Sequence, residues 1–231
     1  MSQAVRMMIE LGPKGKKSVA YAIDWPGWSR GAKTPDQAID VLESYRPRYR
    51  PIAEIAGFDA EFDAAGPLSE ADRYTGPGST DFWGISFAAS PEEREGMSAH
   101  QLERRLALLQ AAWAFFDQVA KRVSPELKKG PRGGGRDRDQ IINHTLGWER
   151  TGLAVKVGIT YPEGVLRDPD GLRQYREDYV EALRNHHAAG KKARKWELAF
   201  LIRHSAFHML DHAWEMEDKD LTAKRAVEPP R

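Results

Sequence analysis

Two histidines, His208 and His212, lie four residues apart in a C-terminal segment of helical periodicity. Side chains at this spacing on a helix lie roughly 5–6 Å apart between Cβ atoms and lean in the same direction, so two imidazoles can reach one divalent ion. Most of the predicted helix surface is apolar, and the face with both histidines becomes polar toward its C-terminal end. The pattern indicates a metal site, provided that another element supplies a further ligand.

His144 is the candidate third ligand, because it shares a helical face with Ile141 and Trp148 in an earlier segment. Helical bundles hold metal ligands on facing helices, directed into the core. Three neutral imidazoles leave one coordination position for water or substrate, as in catalytic rather than closed structural sites. Two alternatives stay open: an ordinary pair of hydrogen-bonded histidines, and participation of His204, which lies one turn before His208.

Two carboxylates lie near these histidines in the sequence. Glu215 follows His212 by three residues and continues the polar face, so it is the candidate catalytic residue. A carboxylate in this position can orient a ligand imidazole or accept a proton near the metal. Glu149 follows His144 by five residues, and we interpret it as one partner of a surface ion pair.

The amino-acid composition limits which metal ligands, nucleophiles and partners the protein can have. The chain of 231 residues has no cysteine, so His, Asp and Glu are the available metal ligands, and any thiol chemistry requires an external thiol. Imidazole ligands accept several divalent ions, including Zn²⁺ and Ni²⁺. Lys+Arg 35 against Asp+Glu 34 gives a net charge of +1, which disfavours nucleic acid as a general partner.

Targeting signals do not stand out in the sequence. The first eleven residues lack the basic and then apolar regions of a signal peptide, and no apolar stretch reaches the about 18 residues that cross a bilayer. We therefore expect a cytoplasmic protein without a membrane partner. The sequence leaves a homodimer open.

Residues 1–66 are predicted to form a small α+β domain. Apolar and polar residues alternate over 5–11 and 18–23, which indicates two strands of a hairpin. Thr34 and Pro35 begin a predicted helix, and the alternation over 58–63 predicts a returning strand. Trp25 and Trp28 are expected to pack on that helix or on the bundle.

Residues 67–96 are interpreted as a connector, and residues 219–231 as a flexible tail. Glycine–proline pairs interrupt the connector and little periodicity is present. Its aromatic residues Phe82, Trp83 and Phe87 are expected to pack on other elements, because large apolar side chains rarely stay exposed together.

Residues 97–218 are predicted to form an antiparallel four-helix bundle. Helix starts are indicated at Ser98, Asp137 and Asp168, and a fourth helix is predicted from about Ala193 to Glu217. The second helix is expected to end near Gly158. The glycine-rich loop over 130–136 is either a plain connector or an anion-binding loop in front of that helix.

Two segments of the bundle resemble the DinB-like superfamily. They read DQIINHTLGWE at 139–149 and FHMLDHAWE at 207–215. This superfamily comprises four-helix-bundle proteins related to bacillithiol- and mycothiol-dependent transferases and maleylpyruvate isomerases. The resemblance implies that His144, His208 and His212 hold a divalent metal ion. Many members continue the last motif with HRGQ, whereas this chain has HAWE.

The first domain resembles the HicB group. The segments DWPG at 24–27 and TPDQAI at 34–39 are similar to its D-x-P-G and T-x-E-E-A pattern. Units of this kind occur as antitoxins and as domains fused to other proteins. The resemblance implies a HicB-like α+β fold in front of a DinB-like bundle.

Two functional hypotheses follow. The first is a divalent-metal-dependent enzyme, a transferase or isomerase acting on a small molecule with a low-molecular-weight thiol. The second is a non-enzymatic regulatory or stress-related binding protein, in which the HicB-like domain contacts a protein or RNA partner.

Overall fold

The computed structural model describes residues 3–130 and 133–222. Its N-terminal part contains a mixed four-stranded sheet of β1 (Val5–Leu11), β2 (Ser18–Ala22), β3 (Ser29–Ala32) and β4 (Leu68–Thr75), in the order β3-β2-β1-β4. β1 and β2 are antiparallel, as are β2 and β3, whereas β1 and β4 are parallel. The expected α+β class is confirmed.

Helices follow the sheet in chain order. They are α1 (Pro35–Ser44), α2 (Arg46–Ile55), α3 (Asp59–Asp63), α4 (Gly78–Trp83), α5 (Pro91–Arg94), α6 (Ala99–Arg122), α7 (Arg138–Trp148), α8 (Pro169–Ala188) and α9 (Leu198–Lys219). After α7 the chain continues as a π-helix over Glu149–Leu153 and a 3₁₀ helix over Ala154–Val157, and a further 3₁₀ turn spans Val165–Arg167. None of the described helices combines the length and the apolar character needed to cross a membrane.

The strand predicted over 58–63 is wrong, because this segment forms α3. Phe62 is buried against Trp25, with ring centroids 4.9 Å apart, and Phe58 packs beside the same core. Their spacing of four residues fits one face of a helix better than alternate faces of a strand. The returning strand is β4, which lies inside the segment predicted as a connector and pairs with β1.

Local capping explains the helix starts that the sequence predicted. The side chain of Thr34 accepts a hydrogen bond from Gln37 N, and Ser98 and Gln101 form a complete capping box. Asp168 accepts from Gly171 N at 2.8 Å. These predicted starts are confirmed. The second bundle helix is α-helical only to Trp148, and its helical path continues as π and 3₁₀ turns up to Gly158, which adopts φ +82°.

The fourth bundle helix begins later than predicted. Ala193 and Trp196 exchange two backbone hydrogen bonds, and Arg194 between them has φ +56°. This tight turn ends before Leu198, the first residue of α9. The cations from Lys191 to Lys195 therefore lie outside the helix N-terminus, where positive charge would oppose the helix dipole. Of the predicted tail, Lys219 ends α9, and residues 223–231 lie outside the described part.

One hydrophobic core runs from the sheet into the long helices. Trp28 donates from Nε1 to the Leu42 carbonyl at 2.8 Å and stacks on Tyr49, which confirms that Trp28 packs on the first helical region. Gly27 lies against α9, since a Cβ at this position would come within 2.7 Å of Leu210 Cδ1. The sheet thus braces the helix that carries the histidine pair.

Segment 78–94 covers the opposite face of the sheet. The fully buried carboxylate of Glu10 accepts from Thr80 Oγ1, Ser86 Oγ and Tyr74 OH. Phe87 contacts His204, but Phe82 and Trp83 are among the most exposed large apolar side chains in the described chain. The expectation that all three aromatics are packed is therefore wrong for these two.

Candidate metal centre

The three predicted histidines lie together between α7 and α9. One ring nitrogen from each of His144, His208 and His212 lies within 4.8 Å of the others. The ring centroids are 5.6 Å apart for His144 and His208, 4.9 Å for His144 and His212, and 4.8 Å for His208 and His212. The chain thus brings imidazoles separated by more than sixty residues to one point.

The position of α9 is fixed on the side away from the histidines. Arg203, fully enclosed by protein, donates to both carboxylate oxygens of Glu93, at 2.7 and 3.0 Å. It also donates to Ser86 Oγ and packs over the Tyr21 ring. These contacts join α9 to the sheet and to α5, so the histidine pair projects from a rigid helix.

The polar face of α9 begins at Ser205. Its Oγ lies 3.1 Å from Tyr179 OH, a contact inside the bundle. His208 and His212 follow on the same face, and Glu215 continues it. Ser205, His212 and Glu215 on this face have hydrogen-bond partners, whereas Nδ1 of His208 has none among the described residues.

Glu215 orients the ring of His212. Nδ1 of His212 lies 2.8 Å from Glu215 Oε2, and Lys219 donates to the other oxygen of this carboxylate. The hydrogen bond to His212 is the main reason that the pKa of Glu215 falls to about 2. An ionised carboxylate makes Nδ1 the proton-bearing nitrogen and leaves Nε2 free to bind a metal, as in many carboxylate–histidine–metal arrangements.

His208 is held in its neutral form. Burial is the main cause that lowers its pKa to about 2, and neighbouring histidines and Arg136 add to the effect. Its Nδ1 is buried and has no hydrogen-bond partner among the described residues. A neutral ring with a buried, unpartnered nitrogen is chemically suited to metal coordination, because the protein does not use that lone pair or proton otherwise.

His144 forms the solvent-facing side of the cluster. Burial lowers its pKa despite this exposure, and the charge of Arg136 adds to the shift. Arg136 therefore lies near enough to influence the site electrostatically, although it is outside the cluster. Residues 131 and 132 of the glycine-rich loop lie outside the described part, and Arg136 is the described loop residue whose charge acts on His144.

His204 does not join the cluster. Its ring lies among Trp196, Phe200 and Phe87, at centroid distances of 5.4, 5.6 and 5.9 Å. Burial lowers its pKa to about 4. Asp211 also points elsewhere, since it pairs with Arg30 at 2.9 Å.

The donor set fits a divalent ion after a small contraction. Tetrahedral zinc with Zn–N bonds of about 2.0–2.1 Å separates its nitrogen ligands by about 3.4 Å. The present separations of up to 4.8 Å are wider, and rotation of the side chains can close the difference. Three nitrogen donors would leave a further coordination position for water or substrate on a tetrahedral ion.

The prediction that Glu149 is one partner of a surface ion pair is wrong. Its side chain is fully buried, Oε1 accepts from Trp113 Nε1 at 2.6 Å, and Oε2 has no partner among the described residues. Burial raises the pKa of Glu149 to about 7. The interruption of α7 by a π-helix starts at this residue, but neither the periodicity nor the spacing of the sequence indicates it.

Replacing Glu149 with glutamine is expected to raise the free energy of unfolding by about 1–3 kcal/mol near pH 8. The folded protein binds the Glu149 proton more tightly than the unfolded chain does, because its pKa is raised from 4.5 to about 7. The free energy of unfolding of the wild type should therefore fall as pH rises from about 4.5 to about 7. The variant has no ionisable group at this position, so it should not show this fall. Urea unfolding at several pH values measures both curves.

The exposed residue Glu163 provides a control for Glu149. Glu163→Gln is expected to leave the free energy of unfolding at about pH 8 near the wild-type value, because this side chain is exposed. An E149Q curve that runs parallel to the wild-type curve across this range would contradict the assignment of a raised pKa.

Comparison of the chain with family models, with curated proteins and with solved structures gives no match. The geometry of the histidine cluster is therefore the observation from which its function is inferred.

Proposed function

We propose that the protein is a divalent-metal-dependent enzyme with His144, His208 and His212 as its metal ligands. The convergence of three ring nitrogens from α7 and α9 within 4.8 Å carries the proposal. The neutral state of His208 and the carboxylate behind His212 support it, since metal-binding imidazoles must be unprotonated and are usually oriented by an acceptor.

Each residue around the site has a distinct role in this proposal. Glu215 holds the His212 ring and its tautomer, so we assign it a positioning role in place of proton transfer. Lys219 donates to one carboxylate oxygen of Glu215, and His212 Nδ1 lies at the other, so Glu215 is a poor acceptor for a substrate proton. His208 supplies the most buried nitrogen, and His144 lies at the open side where a substrate enters.

The proposed reaction class is transfer or isomerisation with a low-molecular-weight thiol. A divalent ion lowers the pKa of a thiol or water at its open position and polarises a substrate. The chain has no cysteine, so the thiol must come as a cosubstrate. The resemblance of the His144 and His208 segments to the DinB-like superfamily favours a thiol over water as the nucleophile.

Thiol consumption by metal-free and zinc-loaded protein tests this proposal. Purified protein is stripped with a chelator, reloaded with Zn²⁺ or Ni²⁺, and assayed with several small thiols and an electrophilic acceptor. We expect turnover with loaded wild type and none with loaded His208→Ala. Equal turnover by the two proteins would refute a catalytic role for the site, and metal binding without turnover for any thiol would refute the thiol chemistry.

A further inference from the structure

Phe82 and Trp83 form an exposed aromatic pair outside the histidine cluster. Their side chains are 69% and 64% exposed, and their rings meet edge to face with centroids 4.6 Å apart. Adjacent aromatic rings this exposed are uncommon on a monomer surface and mark binding sites. Both lie at the end of α4, beside the turn that joins β1 and β2.

The aromatic pair is presented by a rigid support. Asp81, the residue before Phe82, accepts backbone hydrogen bonds from Lys14, Lys16 and Lys17 at 2.7, 2.7 and 3.2 Å. Gly12 completes this clamp, because a Cβ at that position would lie 2.0 Å from Asp81 Oδ1. The turn and α4 are therefore held together, and this fixed position of α4 keeps the two rings exposed.

Glycines also bring β3 against the end of α4. Gly84 ends that helix in the left-handed region with φ +70°, and a Cβ on Gly31 would lie 2.1 Å from the Gly84 carbonyl oxygen. A larger residue at either position would displace α4. This close approach adds a third fixed element to the support of the aromatic pair.

Four lysines lie on the elements that hold the exposed rings. Lys14 and Lys16 are exposed on the turn, and Lys17 donates from Nζ to the Phe82 carbonyl at 2.8 Å. Lys33 is exposed just beyond Ala32, the β3 residue that pairs with Ser18. The carboxylate of Asp81 faces the backbone of the turn and accepts from Lys14 N and Lys16 N, so the ammonium groups of these two lysines can meet an anionic partner. We call this surface the Lys-aromatic patch.

We propose that the Lys-aromatic patch binds single-stranded nucleic acid. Exposed aromatic faces stack on unpaired bases, and neighbouring lysines contact the phosphates of the same strand. The patch combines both features within one fixed surface of the N-terminal domain. The net charge of the whole chain disfavours broad affinity for nucleic acid, but it does not bear on a local cluster of this kind.

Charge and size favour this occupant over others. Bases in a duplex are already stacked, so they cannot cover the two rings. A membrane-surface helix buries an extended apolar face, whereas α4 has six residues and offers two rings. Lysine ammonium groups beside stacked rings match the alternation of phosphate and base along one strand.

Titration of fluorescein-labelled oligodeoxythymidylate and oligouridylate with the full-length protein tests the proposal by fluorescence anisotropy. We expect F82A/W83A to weaken binding by at least about tenfold, because each stacked base contributes strongly. We expect K14A/K16A to weaken binding as well and to reduce the slope of log affinity against log salt by about 1.4, or about 0.7 for each lost phosphate contact.

Two matched variants control for general effects. Ile55→Ala removes another exposed apolar side chain, and K191A/K192A removes two exposed lysines at a distant turn. Both should bind as the wild type does, and thermal unfolding should show that all variants are folded.

Undetectable binding of the wild type to both oligonucleotides would overturn the proposal. Equal affinities for the wild type and F82A/W83A would do so as well, as would tighter binding to a duplex than to its separated strand. Ring-dependent sedimentation with phosphatidylserine vesicles in the absence of oligonucleotide binding would also overturn it, in favour of a lipid surface.

Discussion

Replacing His208 with alanine is expected to lower the affinity for Zn²⁺ by more than about 100-fold. Loss of a residue that merely orients a ligand typically costs about 10–100-fold, so loss of a ligand should exceed that range. The His208 ring lies beside both other rings, with centroid distances of 5.6 Å to His144 and 4.8 Å to His212. Competition with a fluorescent zinc chelator measures the affinity of each variant.

Two further variants should lose less zinc affinity than His208→Ala does. Glu215→Gln keeps the size of the side chain but removes the charge behind His212, so we expect an affinity loss of about 10–100-fold. His100→Ala removes an exposed histidine outside the cluster and should bind zinc as the wild type does. Zinc affinity that is unchanged in H208A and H144A would exclude the proposed ligand set.

Replacing Glu93 with alanine is expected to lower the free energy of unfolding by about 3–5 kcal/mol, because it strands Arg203 as an uncompensated buried charge. The Glu93 and Arg203 side chains are 1% and 2% exposed, and two hydrogen bonds join them. Urea unfolding gives the change. Glu95→Ala, an exposed replacement two residues away, should have little effect.

The double variant E93L/R203M separates burial from charge. Apolar residues of similar volume can replace a buried ion pair at little cost, so we expect it to be considerably more stable than Glu93→Ala. A double variant as unstable as the single one, or a single variant as stable as the wild type, would contradict the energetic role of this pair.

The same pair predicts a loss of stability in acid. Burial opposes ionisation of Glu93, but the charge and hydrogen bonds of Arg203 outweigh it and hold its pKa below 4.5. The folded pKa is lower than the unfolded one, so the contribution is complete above about pH 4.5 and is lost as pH falls through the folded pKa.

Local signals in the sequence predicted much of the helical part. Capping residues such as Thr34, Ser98 and Asp168 interact with backbone groups three residues away, so a short segment contains the whole cause of the helix start. Spacing alone also placed His208 and His212 on one helical face. His144 required the further assumption that two helices pack together.

Long-range pairing explains what the sequence did not reveal. β4 has mostly exposed residues because it is an edge strand, so it lacks the alternation that identifies half-buried strands. Its strand character depends on pairing with β1, more than fifty residues away. Segment 58–63 shows the converse case, because the alternation of Phe58 and Phe62 with acidic residues resembles a strand, whereas Phe62 in α3 packs against Trp25.

The surroundings of the site depended on tertiary contacts as well. Glu149 became buried because Trp113 of another helix donates to it, and Asp211 turned away because Arg30 of β3 attracts it. Phe82 and Trp83 are exposed because the preceding residue, Asp81, accepts hydrogen bonds from Lys14 N and Lys16 N and so fixes α4 against the β1–β2 turn.

Anomalous scattering at the zinc edge from crystals grown with Zn²⁺ tests the metal centre most directly. We expect one peak between α7 and α9, about 2.0–2.1 Å from a ring nitrogen of each of His144, His208 and His212. Zinc-saturated crystals without a peak at these rings, or with zinc held by other residues alone, would contradict the proposed metal centre.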